Sequence, residues 1–399
     1  MLKDIKRFVD KKFIYTVDLS LLRRFLEPYR GQVPFDLDTL ETNAEETRSR
    51  LFEWLVDADE SYPSQMLEDL HRLSELSTEL GMGILRTRAE VLGTQLIPAE
   101  EIDEGEGMHL NPRYVALRAF LDHREIFDSA VDILTFFDNR SPGEFVGEEE
   151  GIPPQITDAT ILAFEQQAGE FYSSRYKGNY CRARCYPDDD GVNLLVIHGH
   201  VPMSTITIEE DEERPRTLRE ARQDTIAYDQ HTGRAKVTAS GDDEKQRLCD
   251  IFAETILGRP PFFQQQDSRN LYTLARIAQE GPMFQLDGEW DPELLDARLT
   301  EIQVDSGERG GWMMTVRDPQ DALLHILDRC PELDLNKAHI NYVKLRFVFS
   351  AGRRKRTKTV KVKPPSVASF NRTTLEKQVL EHLKRNGLCV PRRSPTTPA

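Results

Sequence analysis

Apolar residues recur at spacings of three and four through the first third of the chain, the period of a helix that buries one face. Leu67, Leu70, Leu73, Leu76 and Leu80 share such a face, with Ser64 placed to start the helix and Gly81 to end it. The stretch "NPRYVALRAFLDH" predicts a second helix, opened by Asn111 as N-cap and Pro112 at the first helical position. "AVDILTFFD" continues that layer, so residues 1–138 are read as a helical domain. Residues 139–154, "NRSPGEFVGEEEGIPP", mix Gly, Pro and acids with no period and are read as a linker.

After one more amphipathic helix, "ITDATILAFEQQAGEFY", the period shortens to two. "NYCRARCY" and "VNLLVIHGHV" flank the turn "PDDDG", and "TIAYD" and "RAKVTA" flank "QHTG". These are two predicted hairpins, separated by the acidic, solvated loop "IEEDEERPR". A helix follows in which Ser240 and Asp243 resemble a capping box and Gly258 is the stop. Together these elements make an α+β domain over 155–260.

Beyond "GRPPFFQQQ" come strands at "RLTEIQVD" and "GWMMTVR", a helix at "DPQDALLHILDRC", a hairpin over 343–363 and a final helix. Thr373 and Glu376 form the T-x-x-E box of that helix and Gly387 its stop, closing an α+β domain over 261–390. The tail 391–399 is expected to be disordered. No internal repeat is found. The expected fold class is α+β: a helical N-terminal domain followed by mixed antiparallel-sheet and helix domains.

Composition adds exclusions. No apolar run approaches the roughly eighteen residues of a membrane span. The opening "MLKDIKRFVDKKF" lacks the unbroken apolar core of a secretory signal. Five cysteines, sparse and odd in number, argue against a disulfide framework. The expectation is a cytoplasmic protein with reduced thiols and no membrane partner.

Charge changes the picture more. The formal net charge is −16, yet Ile340–Ala399 carries fifteen Lys and Arg against two Asp and Glu, a net +13, which leaves −29 on the residues before it. So strong a division points to an external polyanion, or to an acidic surface of this chain or a neighbour.

The cations concentrate on the hairpin "RFVFSAGRRKRTKTVKVKPPS". Side chains alternate across strands, so Val343, Leu345, Phe347 and Phe349 share one face with Val360 and Val362. Matching apolar to apolar sets Phe347 opposite Val360 around a four-residue turn. That register opposes Arg346 to Lys361 and Lys344 to Lys363, with Arg353, Arg354, Lys355 and Arg356 at the tip and Lys358 nearby. Like charges directly opposed destabilise a strand pair, so an anionic partner is expected to offset them. Lysines that merely guard an edge strand explain part of the pattern but not four consecutive cations at the tip. The candidate polyanion-binding residues are therefore Lys344, Arg346, Arg353, Arg354, Lys355, Arg356, Lys358, Lys361 and Lys363.

Candidate chemistry is sparse. Cys181, Cys185, His198 and His200 have the residue types of a zinc site at a non-standard spacing. If all of "PDDDG" is turn, the simpler reading, cysteines and histidines face opposite sides; with a shorter turn Cys181 lies opposite His198. The first reading predicts no metal. His198 and His200 beside Asp190 would serve a metal-dependent hydrolase or nuclease, the rival reading. Asp188, Asp189 and Asp190 also suit a turn for backbone reasons alone. No Walker loop, G-x-S-x-G, H-E-x-x-H or G-x-G-x-x-G occurs.

Four stretches, "KKFIYTVDLSLLRRFLE", "VIHGH", "DTIAYDQHTGRAKVTA" and "VKLRFVFSAGRRKRTKTVKVKPPSVASF", resemble a family of bacterial proteins of unassigned function associated with mobile-element or phage-defence gene neighbourhoods. The resemblance implies a bacterial cytoplasmic setting and no known chemistry. The "HG" pair is similar to the R-H-G motif of histidine phosphatases, but Ile197 stands where the phosphate-binding arginine would, and that role is not carried over. The reading is a non-enzymatic sensor or adaptor of a multi-protein system. It binds nucleic acid or an acidic partner, works beside partner subunits, and needs no cofactor.

Overall fold

A computed structural model of the chain describes all residues except 1–4, 35, 40–43, 57–61, 99–110, 139–141, 189, 210–211, 266, 307–310, 352–353, 370–373 and 392–399. The fold is α+β, with helices gathered in the N-terminal part and antiparallel sheets beyond it. Two compact units divide the chain, Met1–Asp138 and Asn139–Ala399.

The first unit contains α1 (Lys11–Thr16), α2 (Leu19–Leu26), α3 (Ala44–Val56), α4 (Ser64–Leu76), α5 (Glu79–Val91), α6 (Pro112–Asp122) and α7 (Arg124–Asp138). Asp10, Asp18, Thr78 and Asn111 each accept a backbone N–H of the turn they cap. The single helix expected from Ser64 to Gly81 is in fact two. α4 follows Pro63 with no side-chain cap bond and ends at Leu76; Thr78 then caps α5 by accepting the Gly81 amide at 3.0 Å. Leu80 thereby leaves the apolar face and is exposed. Gly81 is a point of close approach rather than a stop: a Cβ there would lie 2.3 Å from the Leu76 carbonyl oxygen.

The second unit holds two five-stranded antiparallel sheets. The first is built from β1 (Gly143–Val146), β2 (Cys181–Asp188), β3 (Gly191–Gly199), β6 (Ala221–Asp229) and β7 (Arg234–Thr238), in the order β1-β7-β6-β3-β2. Helices α8 (Asp158–Ser174) and α9 (Asp242–Thr255) pack on it around Phe145, Phe164, Tyr172, Leu194, Tyr228 and Phe252. β1 lies inside the segment expected to be a linker. Phe145 is fully buried opposite Ala235 of β7, and the Gly, Pro and acids around it masked a four-residue strand. The expected Ser240–Asp243 box is replaced by a Gly241 N-cap with no side-chain bond.

The acidic loop expected between the two hairpins is largely a third hairpin. β4 (Met203–Glu209) and β5 (Glu212–Leu218) pair with each other and with no other strand among the described residues. Alternating Thr and Ile in β4 supply the β-propensity that its acidic continuation concealed.

The second sheet has the order β12-β11-β10-β8-β9, from β8 (Leu294–Asp305), β9 (Met313–Arg317), β10 (His339–Ala351), β11 (Arg354–Lys363) and β12 (Val367–Ala368). Its apolar face packs with α10 (Ala275–Glu280), α11 (Ala322–Arg329) and α12 (Thr374–Arg385) around Ile302, Leu345, Phe347, Val360, Val379 and Leu383. Thr373, the expected cap, and the tail from 392 lie outside the described residues; Gly387 takes positive φ as a helix stop should.

β1 joins the two sheets. The Glu144 amide donates to the Ser366 carbonyl at 2.9 Å, and the Val146 amide to Ser268 at 2.8 Å. The buried Glu144 carboxylate accepts the Tyr272 hydroxyl at 2.5 Å and pairs with Lys236 at 3.0 Å.

Candidate polyanion-binding face

β10 and β11 form because Val343, Leu345, Phe347, Phe349, Val360 and Val362 alternate with polar residues, and all six are buried. The register differs from the one expected by two residues. Leu345 lies opposite Val360 and Val343 opposite Val362, with pairing continuing to Ala351 and Arg354. Lys344 therefore faces Lys361, while Arg346 faces Thr359 and neither Arg346–Lys361 nor Lys344–Lys363 is formed. A slide of two keeps every side chain on its own face, so alternation alone could not choose between the registers.

The opposed Lys344 and Lys361 are accommodated from within the sheet. Glu301 of β8 lies opposite Lys344, is buried, and accepts three hydrogen bonds. They come from Lys344 Nζ at 2.9 Å, Arg317 Nε at 2.8 Å and Tyr342 Oη at 2.7 Å. Burial alone would raise the Glu301 carboxyl; the bonds from Tyr342, Lys344 and Arg317 outweigh it and hold the group below the usual carboxylate range. Lys361 sits 3.8 Å from the Tyr342 ring centroid. Burial, with Lys363 and Lys344 nearby, lowers its ammonium from the ordinary lysine value. Two residues along β10, Arg346 pairs with Asp296 of β8 at 3.4 Å, and Asp296 also takes Arg298 at 2.8 Å.

The open face of the second sheet thus gathers Arg298, Arg317, Lys344, Arg346, Lys361 and Lys363 around two carboxylates, Glu301 and Asp296. At the end of the hairpin Lys355 and Arg356 are exposed, and neither they nor Lys363 has a carboxylate partner among the described residues. Arg353, and the side chain of Arg354, lie outside the described residues. Arg356, opposite Phe349, stands on the other side of the sheet from this open face, and Lys358 departs from the expected site as well. It points with Phe347 to the helix-covered side and pairs with Glu376 of α12. The hairpin also projects less than expected, because β8 pairs with β10 as far as Phe349. What is presented is a sheet face with a charged end, not a long ribbon.

The His and Cys candidates separate in space. Two residues, 189 and 190, divide β2 from β3, so Cys181 lies opposite His198 and the five-residue turn is overturned. Pro187 can join the ladder because β2 is an edge strand. The shared face nevertheless brings no zinc set together. Cys181 and Cys185 are four strand residues apart, about 13 Å, where two sulfurs on one zinc would be about 4 Å apart. Burial pushes both thiols up to about 12, away from the thiolate a metal needs.

His198 is fully buried and stacked on Tyr172, ring centroids 3.7 Å apart. Its Nδ1–H donates to the Gly199 carbonyl at 2.8 Å, and its Nε2 lies 3.0 Å from Asp224 Oδ2. The Tyr172 hydroxyl also donates to Asp224, at 2.8 Å. Beside them runs the buried pair Lys177–Glu244 at 2.7 Å. With both ring nitrogens engaged and the ring covered, His198 holds the core together. His200 lies just past the strand, its carbonyl accepting Arg219 at 3.0 Å. Asp190 pairs with Lys377 of α12 at the far end of β3, eight residues or about 26 Å from His198. The hydrolase grouping of His198, His200 and Asp190 is therefore not assembled.

Set beside models of known protein families and beside curated proteins, the chain matches none. Its class rests on its own architecture: an α+β protein with an open, cation-rich sheet face. The residues that sequence reasoning missed are Glu301, Asp296, Arg298, Arg317 and Tyr342. The available signal was the acid at the centre of the strand "RLTEIQVD", whose charge suits a lysine-rich neighbour.

Proposed function

We propose that the chain is a binding component rather than an enzyme, and that the open face of its second sheet contacts the phosphate backbone of nucleic acid. The observation that carries the reading is the six cations set around two carboxylates on that face, extended at its end by Lys355, which has no carboxylate partner among the described residues. Phosphate contact is the expected mode. Tyr342 lies beneath the Lys361 ammonium and is not free to stack on bases. Such contacts position a duplex without reading its sequence. In keeping with the charge division and the bacterial resemblance, the role proposed is a sensing or adaptor part of a multi-protein, phage-defence type of system.

The test is fluorescence anisotropy with a labelled DNA duplex across a salt series. Affinity should fall linearly with salt on logarithmic axes, by about 0.9 per phosphate contacted. Replacing Arg353, Arg354, Lys355 and Arg356 with Ser should lower that slope by about two to four and weaken all sequences alike. A parent chain without salt-dependent affinity for duplex or single strand overturns the proposal.

A further inference from the structure

The β4–β5 arm stands apart from both cores. Every described side chain from Met203 to Leu218 is exposed except Thr207, which is half-buried, and Ile206 and Ile208 are 68 % and 78 % exposed. An isolated two-stranded ribbon is marginal in water, and added strands are the usual remedy. Residues 209–213, spanning the end of β4 and the start of β5, are five consecutive acids, which repels a nucleic-acid backbone and points to protein as the occupant.

The two free edges of the arm differ. β5 carries Glu212, Glu213, Arg214 and Arg216, and Pro215 removes a backbone donor, so that edge is guarded. β4 reads Met-Ser-Thr-Ile-Thr-Ile before Glu209, with no charge and no proline. The other outer strands are closed to it. β2 has Arg182, Arg184 and Pro187, and its Ala183 amide already donates to Glu165 at 2.9 Å. β1 donates to Ser366 and Ser268, and β12 is two residues long. β9, five residues, ends in Arg317, engaged with Glu301.

We infer that β4 pairs antiparallel with β4 of a second copy of this chain, about a two-fold axis at Ile206. That register sets Ile206 against its counterpart, Thr205 against Thr207 and Ser204 against Ile208, all favourable or neutral cross-strand pairs. Glu209 meets Met203, so no like charges oppose. The equivalent pairing of β5 about Pro215 would set Arg214 against Arg216, a repulsive pair with a missing hydrogen bond. Charge therefore selects β4, and the result is a closed, isologous dimer.

The test uses the full chain in light scattering coupled to size exclusion, with Ile206→Lys and Ile206→Glu. The parent should show twice the mass of one chain at tens of micromolar (the order expected of a small interface). Each variant alone should be monomeric, because like charges meet at the axis. The two variants mixed should recover the double mass, because opposite charges now meet. Ile206 is exposed, so folding should survive in both. A parent that stays monomeric, a variant that stays dimeric, or a mixture that fails to re-associate overturns the inference. So does a dimer dispersed by salt alone, which would instead place the acidic turn on the basic end of a neighbouring copy.

Discussion

Replacing Glu301 with Gln removes the carboxylate on which Lys344, Arg317 and Tyr342 converge. A hydrogen bond to a charged group contributes about 1.5–3 kcal/mol. Three such bonds do not add to their sum here, because the Lys344 and Arg317 side chains are 35 % and 74 % exposed and solvent screens them. The expected loss is about 2 kcal/mol at pH 7, read by urea unfolding, part of it from Lys344 left facing Lys361. The Glu301 carboxyl is depressed in the folded chain, so its contribution is present above the unfolded value of about 4.3 and disappears as pH falls through the lower folded value. The gap between parent and variant should therefore narrow below about pH 4. The same substitution removes a negative charge from the proposed binding face. A phosphate about 8 Å away would be relieved of roughly 0.5–1 kcal/mol, so duplex affinity should rise about two- to five-fold at low salt. A stability loss under about 0.5 kcal/mol, a gap that persists in acid, or unchanged affinity would refute the reasoning.

Two further substitutions probe the rest of the chain. His198→Ala deletes a fully buried ring and its bonds to Asp224 and Gly199, and should cost about 3–5 kcal/mol in urea unfolding while leaving duplex affinity of the folded chain unchanged; loss of binding without loss of stability would return His198 to a functional role. Gly81→Ala puts a methyl group 2.3 Å from the Leu76 carbonyl, so thermal unfolding should show the α4–α5 junction weakened by about 2–3 kcal/mol, and a neutral result would mean that the two helices can part at no cost.

The alternation of Val343 to Phe349 and of Val360 to Val362 was enough to assign faces, since a buried side must be apolar. Register was out of reach by the same logic, because a two-residue slide returns each side chain to its own face. Glu301 could not be paired with Lys344 before β8 was placed beside β10, a contact 43 residues apart in the chain. The strand at 143–146 hid because four residues give too short a window for periodicity against flanking Gly, Pro and acids. In the other direction, the four-residue separation of Cys181 and Cys185 along one strand was legible in the sequence. Two cysteines four apart on one strand are too far apart to share an ion, whatever the turn.

The short strand β1 has a consequence for how the second unit comes apart. It completes one sheet by pairing with β7, and on its other edge the Glu144 amide ends on Ser366, between β11 and β12 of the other. Losing either sheet strips hydrogen bonds from the same four residues and uncovers the Glu144 carboxylate, which neither sheet can shelter alone. The two cores should therefore melt together in calorimetry, as a single cooperative block whose weakest point is neither core but the strand they hold in common.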